Sequence, residues 1–407
     1  MALFSFASTQ KREVAVVLDI GSGSVGASIV VFEKREQPRI LYSTREDIAH
    51  YERPGFKRFF RAMLNSLEIA TTRLHREALE KNTLAGIHAK NIEHVYCVLA
   101  SPWYTATTKI LLYEKRAPFM VTPALINNLV EGSMHASTTE DLPDKRQAEL
   151  AMGKNIERKV IQILLNGYET SKPYLQKASR IEVALFTANV GQEIGSRIQS
   201  IIRKTWVNRK ISFHSFALAS FMVTRDLFPK ENDFVLLDVT GEVTDIFIVK
   251  NGVLIQSCSI PYGKNTLVRD IARSMHSIPA ESLSMVREYT TESSAKEAQS
   301  NIEKALGEAG NKWVSLLSAI ISYVIETESI PRTVYLMSDP DVGALFSKWV
   351  NQENVGRRML GKQGYEVTYL TEKMLLEHVQ FAGAKERDFF IGIDAIFLHV
   401  LYALSNT

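Results

Sequence analysis

The chain has 407 residues, of which 45% are hydrophobic, and its 48 basic and 45 acidic side chains leave a net charge of +3. This length favours two lobes, or one domain with a large insertion, over a single compact core. The nearly balanced charge excludes the broad basic surface of a nucleic-acid-binding protein. The two cysteines, Cys97 and Cys258, lie far apart without further ligands nearby, which argues against a zinc site or a disulfide framework. No run reaches the roughly 18 apolar residues of a membrane-spanning helix, so we expect a cytoplasmic chain.

The predicted elements alternate between strands and helices. Residues 14–19 and 27–32 are apolar runs on either side of a Gly/Ser turn, which predicts a buried hairpin, and residues 55–80 show helical spacing. The later predicted elements are strand 92–100, helix 123–135, strands 159–165 and 180–189, helix 191–206, strand 234–238, a hairpin at Asn251-Gly252, a helical segment 280–328 broken at Gly310, strand 333–337, and helices 341–350 and 394–404. Such alternation indicates the α/β class.

A repeated pattern links two distant parts of the chain. In VVLDIGSGSVGASIVV and VLLDVTGEVTDIFIVK, an apolar strand ends at an aspartate, a turn of small residues follows, and a second apolar strand begins. Asp19 corresponds to Asp238, and Ile29 corresponds to Ile248, ten residues after each aspartate. Either motif alone is compatible with an ordinary hairpin whose aspartate accepts turn N–H groups. Together they predict an internal duplication with two similar halves facing one another.

Two such turns facing each other predict a nucleotide site. Tight turns of small residues let backbone N–H groups approach phosphate oxygens, and carboxylates at the strand ends suit a hydrated Mg²⁺ ion. Asp19 and Asp238 are the candidate metal ligands. The candidate nucleotide-binding residues are Asp19, Gly21, Ser22, Gly23 and Ser24 in the first turn, Asp238, Gly241, Thr244 and Asp245 in the second, and Gly343 further on.

These motifs resemble the actin and heat-shock chaperone ATPase superfamily, and within it the chain looks most like the FtsA group, followed by the PilM group. Besides the two turns, the resemblance rests on the predicted insertion, on the segment FALAS before the second turn, and on IPYGKNTLVRDIARSM after it. It implies a two-lobed actin/ribonuclease-H-like fold with a strand-helix-strand-strand insertion in the first lobe. The expected divisions are 13–91 (first lobe), 92–190 (insertion), 191–232 (first lobe continued), 233–270 (second lobe), 271–330 (helical subdomain), 331–385 (second lobe continued) and 386–407 (a helix returning to the first lobe).

The chain departs from the superfamily pattern in all three of its motifs. In the superfamily a lysine often follows the first turn, but the two positions where we expect it hold Ser24 and Gly26. In the second turn, Thr240 and Glu242 stand where the superfamily prefers glycines. A carboxylate at Glu242 would repel phosphates. The glycine pair next to the adenosine becomes Ser-Asp-Pro-Asp-Val-Gly, ending at Gly343, which also fits a capped helix start. We expect weakened binding of ATP and Mg²⁺, no hydrolysis and no catalytic residue.

The resemblance implies two roles that depend on protein contacts. An FtsA-like protein is a scaffold of bacterial cell division that polymerises through its insertion and binds division-ring proteins. A PilM-like protein is a cytoplasmic adaptor that binds a peptide of a pilus membrane protein. The acidic, proline-containing segment usual in PilM-like chains is not found, which favours the FtsA side. An active phosphotransferase is the third hypothesis.

The expected partners are division-ring or cell-envelope proteins and further copies of the chain. Attachment to the inner membrane would be peripheral and through a partner, or through the N-terminal phenylalanines. Trp103, Tyr104 and Phe119 are candidate interface aromatics, and Trp313 is expected in the core.

Overall fold

The architecture is that of a computed structural model, which describes residues 12–49, 55–81, 84, 86–135, 153–290, 296–325, 329–351, 365–383 and 387–405. Within these residues the strands are β1 Arg12–Ile20, β2 Ser24–Glu33, β3 Arg39–Asp47, β4 Ile92–Leu99, β5 Tyr104–Met120, β6 Lys154–Leu165, β7 Tyr168–Glu169, β8 Lys177–Val190, β9 Lys210–Ser215, β10 Phe234–Val239, β11 Thr244–Lys250, β12 Val253–Ile260, β13 Thr333–Ser338, β14 Glu366–Tyr369 and β15 Gln380–Phe381. The α-helices are α1 Phe56–Leu74, α2 Pro123–His135, α3 Gln192–Thr205, α4 Phe216–Leu227, α5 Lys264–Met275, α6 Pro279–Thr290, α7 Lys296–Ile325, α8 Pro340–Asn351 and α9 Phe389–Ser405. None of these helices is both long enough and apolar enough to cross a membrane.

Two sheets share one topology. The first has the order β15-β3-β2-β1-β4-β9 and the second has the order β12-β11-β10-β13-β14, so a central hairpin is flanked by a parallel strand in each. Asp19 lies opposite Gly26, and Asp238 lies opposite Asp245, each seven positions further along the chain. The duplication predicted from the sequence is therefore confirmed, and with it the α/β, two-lobed architecture.

The insertion is a separate four-stranded sheet of order β5-β8-β6-β7, with α2 packed on one face. The predicted first strand, at 92–100, is not part of it. That segment is β4, which pairs with β1 in parallel inside the first lobe and is buried except at Glu93 and Tyr96. The insertion begins instead at β5, whose mixed polar sequence reflects an exposed outermost strand. The boundary at residue 92 was wrong, and the strand-helix-strand-strand order is supplied by β5, α2, β6 and β8.

Two further expectations are corrected near the C-terminus. Residues 380–381 (β15) pair with β3 in the first lobe, so the segment 331–385 does not lie wholly in the second lobe. Gly310 does not break the helical segment, because α7 runs through it. A Cβ at Gly310 would lie 2.6 Å from the Trp349 ring, so this glycine is needed for close packing. The final helix, α9, begins at Phe389 instead of Asp394 and packs into the first-lobe core, as expected.

Candidate functional site

The two turns of the repeat meet at the centre of the molecule. The first turn comprises Gly21, Ser22 and Gly23, between β1 and β2, and the second comprises residues 240–243, between β10 and β11. The hydroxyls of Ser22 and Thr240 lie 2.8 Å apart, and the backbone N–H of Glu242 donates to the Ser22 Oγ at 2.9 Å. The lobes are thus hydrogen-bonded to each other through the positions where phosphates were predicted to bind.

Glycine is required for this contact. A Cβ on Gly241 would lie 2.3 Å from the Cα of Gly23, and one on Gly23 would lie 3.0 Å from the Cα of Gly241. The two backbones therefore touch where each was predicted to cradle a phosphate. The cavity that remains between the turns has a volume of about 30 Å³, enough for one or two water molecules.

An arginine that the sequence analysis did not single out lies in this cavity. Arg45, on β3, donates to Asp388 at 2.7 and 2.9 Å and to Asp19 at 2.7 Å. A third donor, Nη1, reaches the Ser24 Oγ at 2.8 Å, and the guanidinium lies over the Phe390 ring. A fork of donors shared between two carboxylates is the geometry for which arginine is suited.

Gly26 makes room for that arginine. A Cβ at Gly26 would lie 2.8 Å from Nη2 of Arg45. Gly26 is one of the two positions where the sequence lacked the expected lysine, so a cation is present here after all, supplied from the neighbouring strand. Burial raises the pKa of Asp19, and Arg45 opposes that shift.

Two other carboxyl groups are buried without partners among the described residues. Asp238, at the end of β10, and Asp394, on α9, are both fully buried, and neither oxygen of either one accepts a hydrogen bond there. Burial raises the pKa of both well above the usual range, and nearby carboxylates add to it. Both are therefore held in the neutral form more readily than an exposed aspartate.

From the sequence, we expected Glu242 to present its charge to the cavity. In the structure it does not. Its carboxylate accepts from both terminal nitrogens of Arg269, at 2.9 and 2.6 Å, and from Asn265 at 3.1 Å. The expectation that Glu242 repels phosphate was wrong, because Arg269, about one helical turn after the start of α5, supplies a matching cation. The start of α5 also donates backbone N–H groups to the carbonyls of Thr240 and Gly241.

The third motif is closed by an aromatic ring. A Cβ at Gly343 would lie 2.4 to 2.6 Å from atoms of the Tyr369 ring, and the Tyr369 hydroxyl donates to the Ser338 carbonyl at 3.2 Å. Asp339 and Asp341 are bound by Lys264 at 3.0 and 2.9 Å. The face of Gly343 that was predicted to approach the adenosine is thus occupied by the protein itself.

The remaining predicted residues divide into two groups. Asp19, Gly21, Gly23, Ser24, Asp238 and Gly241 line the cavity. Thr244 and Asp245 do not. The Thr244 hydroxyl donates to the Tyr262 carbonyl at 2.6 Å and accepts from the Trp313 indole at 3.0 Å, inside the second lobe. Asp245 accepts from Ser259 and Ser101, and its burial raises its pKa to about 6.

Two of the three candidate interface aromatics are core residues, whereas Phe119 is partly buried and packs against the core of the insertion. Trp103 is fully buried and its indole donates to the Gly21 carbonyl at 2.7 Å, while Tyr104 is 5% exposed. Trp313 is fully buried, as expected. Trp103 and Tyr104 were therefore wrongly assigned to an interface.

As arranged, these residues do not fit ATP with Mg²⁺. The turns touch, Arg45 holds Asp19, and Tyr369 covers Gly343. Across the described residues no group of three or more His, Cys, Asp or Glu side chains could hold a metal ion. The cavity is built for direct contact between the lobes.

Comparisons with known proteins define the class of fold. No protein-family model matches the sequence, and no curated protein matches it. A chain of the PilM-PilN type IV pilus biogenesis complex matches with a TM-score of 0.56 at 12% identity, over 95% of this chain and 98% of that chain. The ethanolamine utilization protein EutJ from Carboxydothermus hydrogenoformans matches with a TM-score of 0.43 at 12% identity, over 94% and 89% of the two chains. A Bacteroides thetaiotaomicron protein described as having an actin-like ATPase fold matches with a TM-score of 0.39 at 10% identity, over 98% and 99%. The similarity to the PilM-PilN chain, which extends over nearly the whole of both chains, shows that this chain has an actin-like fold.

Proposed function

We propose that this chain is a non-catalytic adaptor that uses an actin-like fold to bind other proteins, and that its lobes are held together without a nucleotide. The observation that carries the proposal is the direct contact between the two turns, beside an aspartate that an arginine already binds. Arg45 spans Asp19 and Asp388, and the two turns bond directly to each other. In an ATPase of this fold, a nucleotide and its metal would make the connections that these side chains make here.

The proposed partner is a cell-envelope protein. The support is the match to a chain of the PilM-PilN complex, which extends over nearly the full length of both chains and has the highest TM-score of the comparisons given above. A PilM-like adaptor docks a short segment of a membrane protein from the cytoplasmic side. In this proposal the chain is likewise cytoplasmic and reaches the inner membrane through its partner.

The experiment is purification of the tagged full chain from its host cells, once with Mg-ATP and once with apyrase and then EDTA after the nucleotide has been hydrolysed. The adaptor proposal expects the same envelope protein in equal yield in both preparations, and no ATP hydrolysis above the buffer blank. Loss of the partner when nucleotide is removed, or stoichiometric nucleotide in the purified chain, would contradict it.

A second candidate is an FtsA-like scaffold of cell division that polymerises through the insertion. One observation favours it: Ile110 and Leu112, on the outermost strand β5, are 55% and 53% exposed and lie two residues apart on one face. Electron microscopy and sedimentation compare the wild type with the double variant Ile110→Asp, Leu112→Asp and with Ile69→Asp, which changes an exposed isoleucine of α1. The scaffold expects polymers that only the β5 variant abolishes, and a wild-type monomer at all concentrations would rule it out.

A further inference from the structure

A second opening between the lobes, larger than the cavity, lies beside the contact of the two turns. This groove has a volume of about 450 Å³, within the range of binding sites for small molecules and peptide side chains. One wall comes from the start of α1 and from Pro102 in the first lobe. The other wall comes from the second turn and from α5 and α7 in the second lobe.

The floor of the groove is apolar. The rings of Phe56 and Phe59 pack on the buried Trp103, with centroids 6.3 and 5.0 Å from it. Val243 and the exposed Pro261 continue the apolar surface from the other lobe. Such a floor suits a large aliphatic or aromatic side chain, which binds there by burying apolar area.

The rim of the groove carries positive charge that the described acidic side chains do not fully neutralise. Arg273 and Lys312 are 66% and 54% exposed, and both bind the single carboxylate of Asp270, at 2.8 and 2.9 Å. Asp270 also accepts from the Tyr262 hydroxyl at 3.1 Å. Two positive charges around one negative charge leave a net positive charge at the rim. Arg269, in contrast, is matched one to one by Glu242.

We infer that the groove binds an extended segment of a partner protein in which a large apolar side chain is next to an aspartate or glutamate. The apolar side chain would lie on Phe56 and Phe59, and the carboxylate would accept from Arg273 and Lys312. This inference rests on the proposed adaptor function and deepens it, since it names the surface and the chemistry of the partner.

Such a segment would also hold the lobes together. The floor of the groove is joined to the first turn, because the Trp103 indole donates to the Gly21 carbonyl. The opposite wall of the groove includes Glu242, whose backbone N–H donates to the Ser22 hydroxyl. A ligand that contacts both walls binds only the closed arrangement. Binding should therefore raise the melting temperature of the chain.

The experiment begins with a random linear peptide library displayed on phage and selected on the full-length chain. Selected sequences are made as fluorescein-labelled peptides, and their dissociation constants are measured by fluorescence polarisation. We expect enrichment of a large apolar residue beside an acidic one. Arg273→Glu with Lys312→Glu should weaken binding about tenfold or more, Phe56→Ala should do the same, and Lys172→Glu, on the exposed surface of the insertion, should leave it unchanged.

A peptide in which the acidic residue is replaced by its amide separates a local effect from loss of folding. It should bind the wild type more weakly than the acidic peptide does, and the charge reversal should change its affinity far less than that of the acidic peptide. Selection of no peptide, peptides without the apolar and acidic pair, or peptides that bind the groove variants as well as the wild type would overturn the inference. Peptides whose binding depends on the insertion would overturn the groove while leaving the adaptor proposal standing.

Discussion

A single guanidinium accounts for the electrostatics of the central cavity. Arg45 is one quarter exposed, yet it bonds to Asp19 and Asp388, which are 5% and 14% exposed. Two carboxylates this close to each other would repel strongly without a cation between them. The arginine links β3 to the start of α9 and to the end of β1, so it joins three elements of the first lobe at the edge of the cavity.

Arg45→Ala should lower the free energy of unfolding by roughly 2 to 4 kcal/mol, because it leaves two buried carboxylates without their cation. Solvent screens part of this loss, since the site is partly exposed. Arg39→Ala removes a partly exposed arginine of the same strand, paired with Glu33 alone, and should cost less than about 1 kcal/mol. Urea unfolding of the three proteins gives the comparison. Equal losses for the two variants would mean that Arg45 is an ordinary surface arginine.

Asp394→Asn tests the buried carboxyl group of α9. The groups facing Asp394 are Asp19, Arg45, Asp388 and Asp238, and its folded-state pKa is raised, chiefly by burial. The folded chain thus holds this proton more tightly than the unfolded chain, so the contribution of Asp394 to stability is complete below about pH 4 and declines as the pH rises.

Because asparagine has no such proton, the variant should unfold like the wild type at pH 4 and be more stable by about 1 kcal/mol or more at pH 8. Melting temperatures across that range provide the measurement, with Glu114→Gln on the exposed face of β5 as the control. A difference in melting temperature between the variant and the wild type that stays constant with pH would contradict the raised pKa of Asp394.

The sequence identified some of these side chains and not others, for physical reasons. Asp19 and Asp238 stand out because each ends an apolar strand, and a carboxylate in that position needs an explanation. Asp394 was not singled out, because it stood only at the predicted start of the last helix, whereas the helix begins at Phe389 and places this acid inside its apolar run. Arg45 gives no such signal, since it lies in a polar strand and acquires its role only when β3 pairs with β2.

Among the secondary-structure elements, the two tight turns determine how the lobes meet. They touch backbone to backbone, and the second turn is held in place by the first N–H groups of α5. A side chain at Gly241 would enter the first turn, whereas Gly307, on α7, has open space around it.

Gly241→Ala should destabilise the chain by about 1 to 3 kcal/mol, the usual cost of overpacking, and should separate the lobes. Gly307→Ala, the matched substitution in a helix, should stabilise it by up to about 1 kcal/mol. Thermal unfolding gives the stabilities, and small-angle scattering gives the radius of gyration. A Gly241→Ala protein as compact and stable as the wild type would show that the turns do not touch in solution.

The strands that the sequence predicted well are those buried on both faces. The apolar runs of β1, β10 and β13 are continuous, and that of β4 is interrupted only by Glu93 and His94; all four strands were found. β3, β5 and β9 were missed because they have at least one polar face, and their strand character depends on their neighbours. That difference also explains the wrong insertion boundary: β4 was recognised as a strand, but the sheet to which it belongs is decided by pairing over a long sequence distance.

For the molecule as a whole, the repeat was the most informative feature of the sequence. Two matching hairpins imply two matching sheets, and the resemblance to the actin-like superfamily implied the rest of the fold. The state of the cavity did not follow, because the same small residues that can cradle a phosphate can also let two backbones touch. Sequence motifs cannot distinguish these outcomes, which depend on how closely the lobes approach.

The most direct measurement is the melting temperature of the full chain with increasing Mg-ATP. A ligand at 100 times its dissociation constant adds about 2.7 kcal/mol to the stability of a protein that binds it. If the two turns hold the lobes together and Arg45 binds Asp19, the melting temperature should not change up to millimolar Mg-ATP. A saturable rise that requires Mg²⁺ would show that the cavity opens to admit a nucleotide, and would contradict the account.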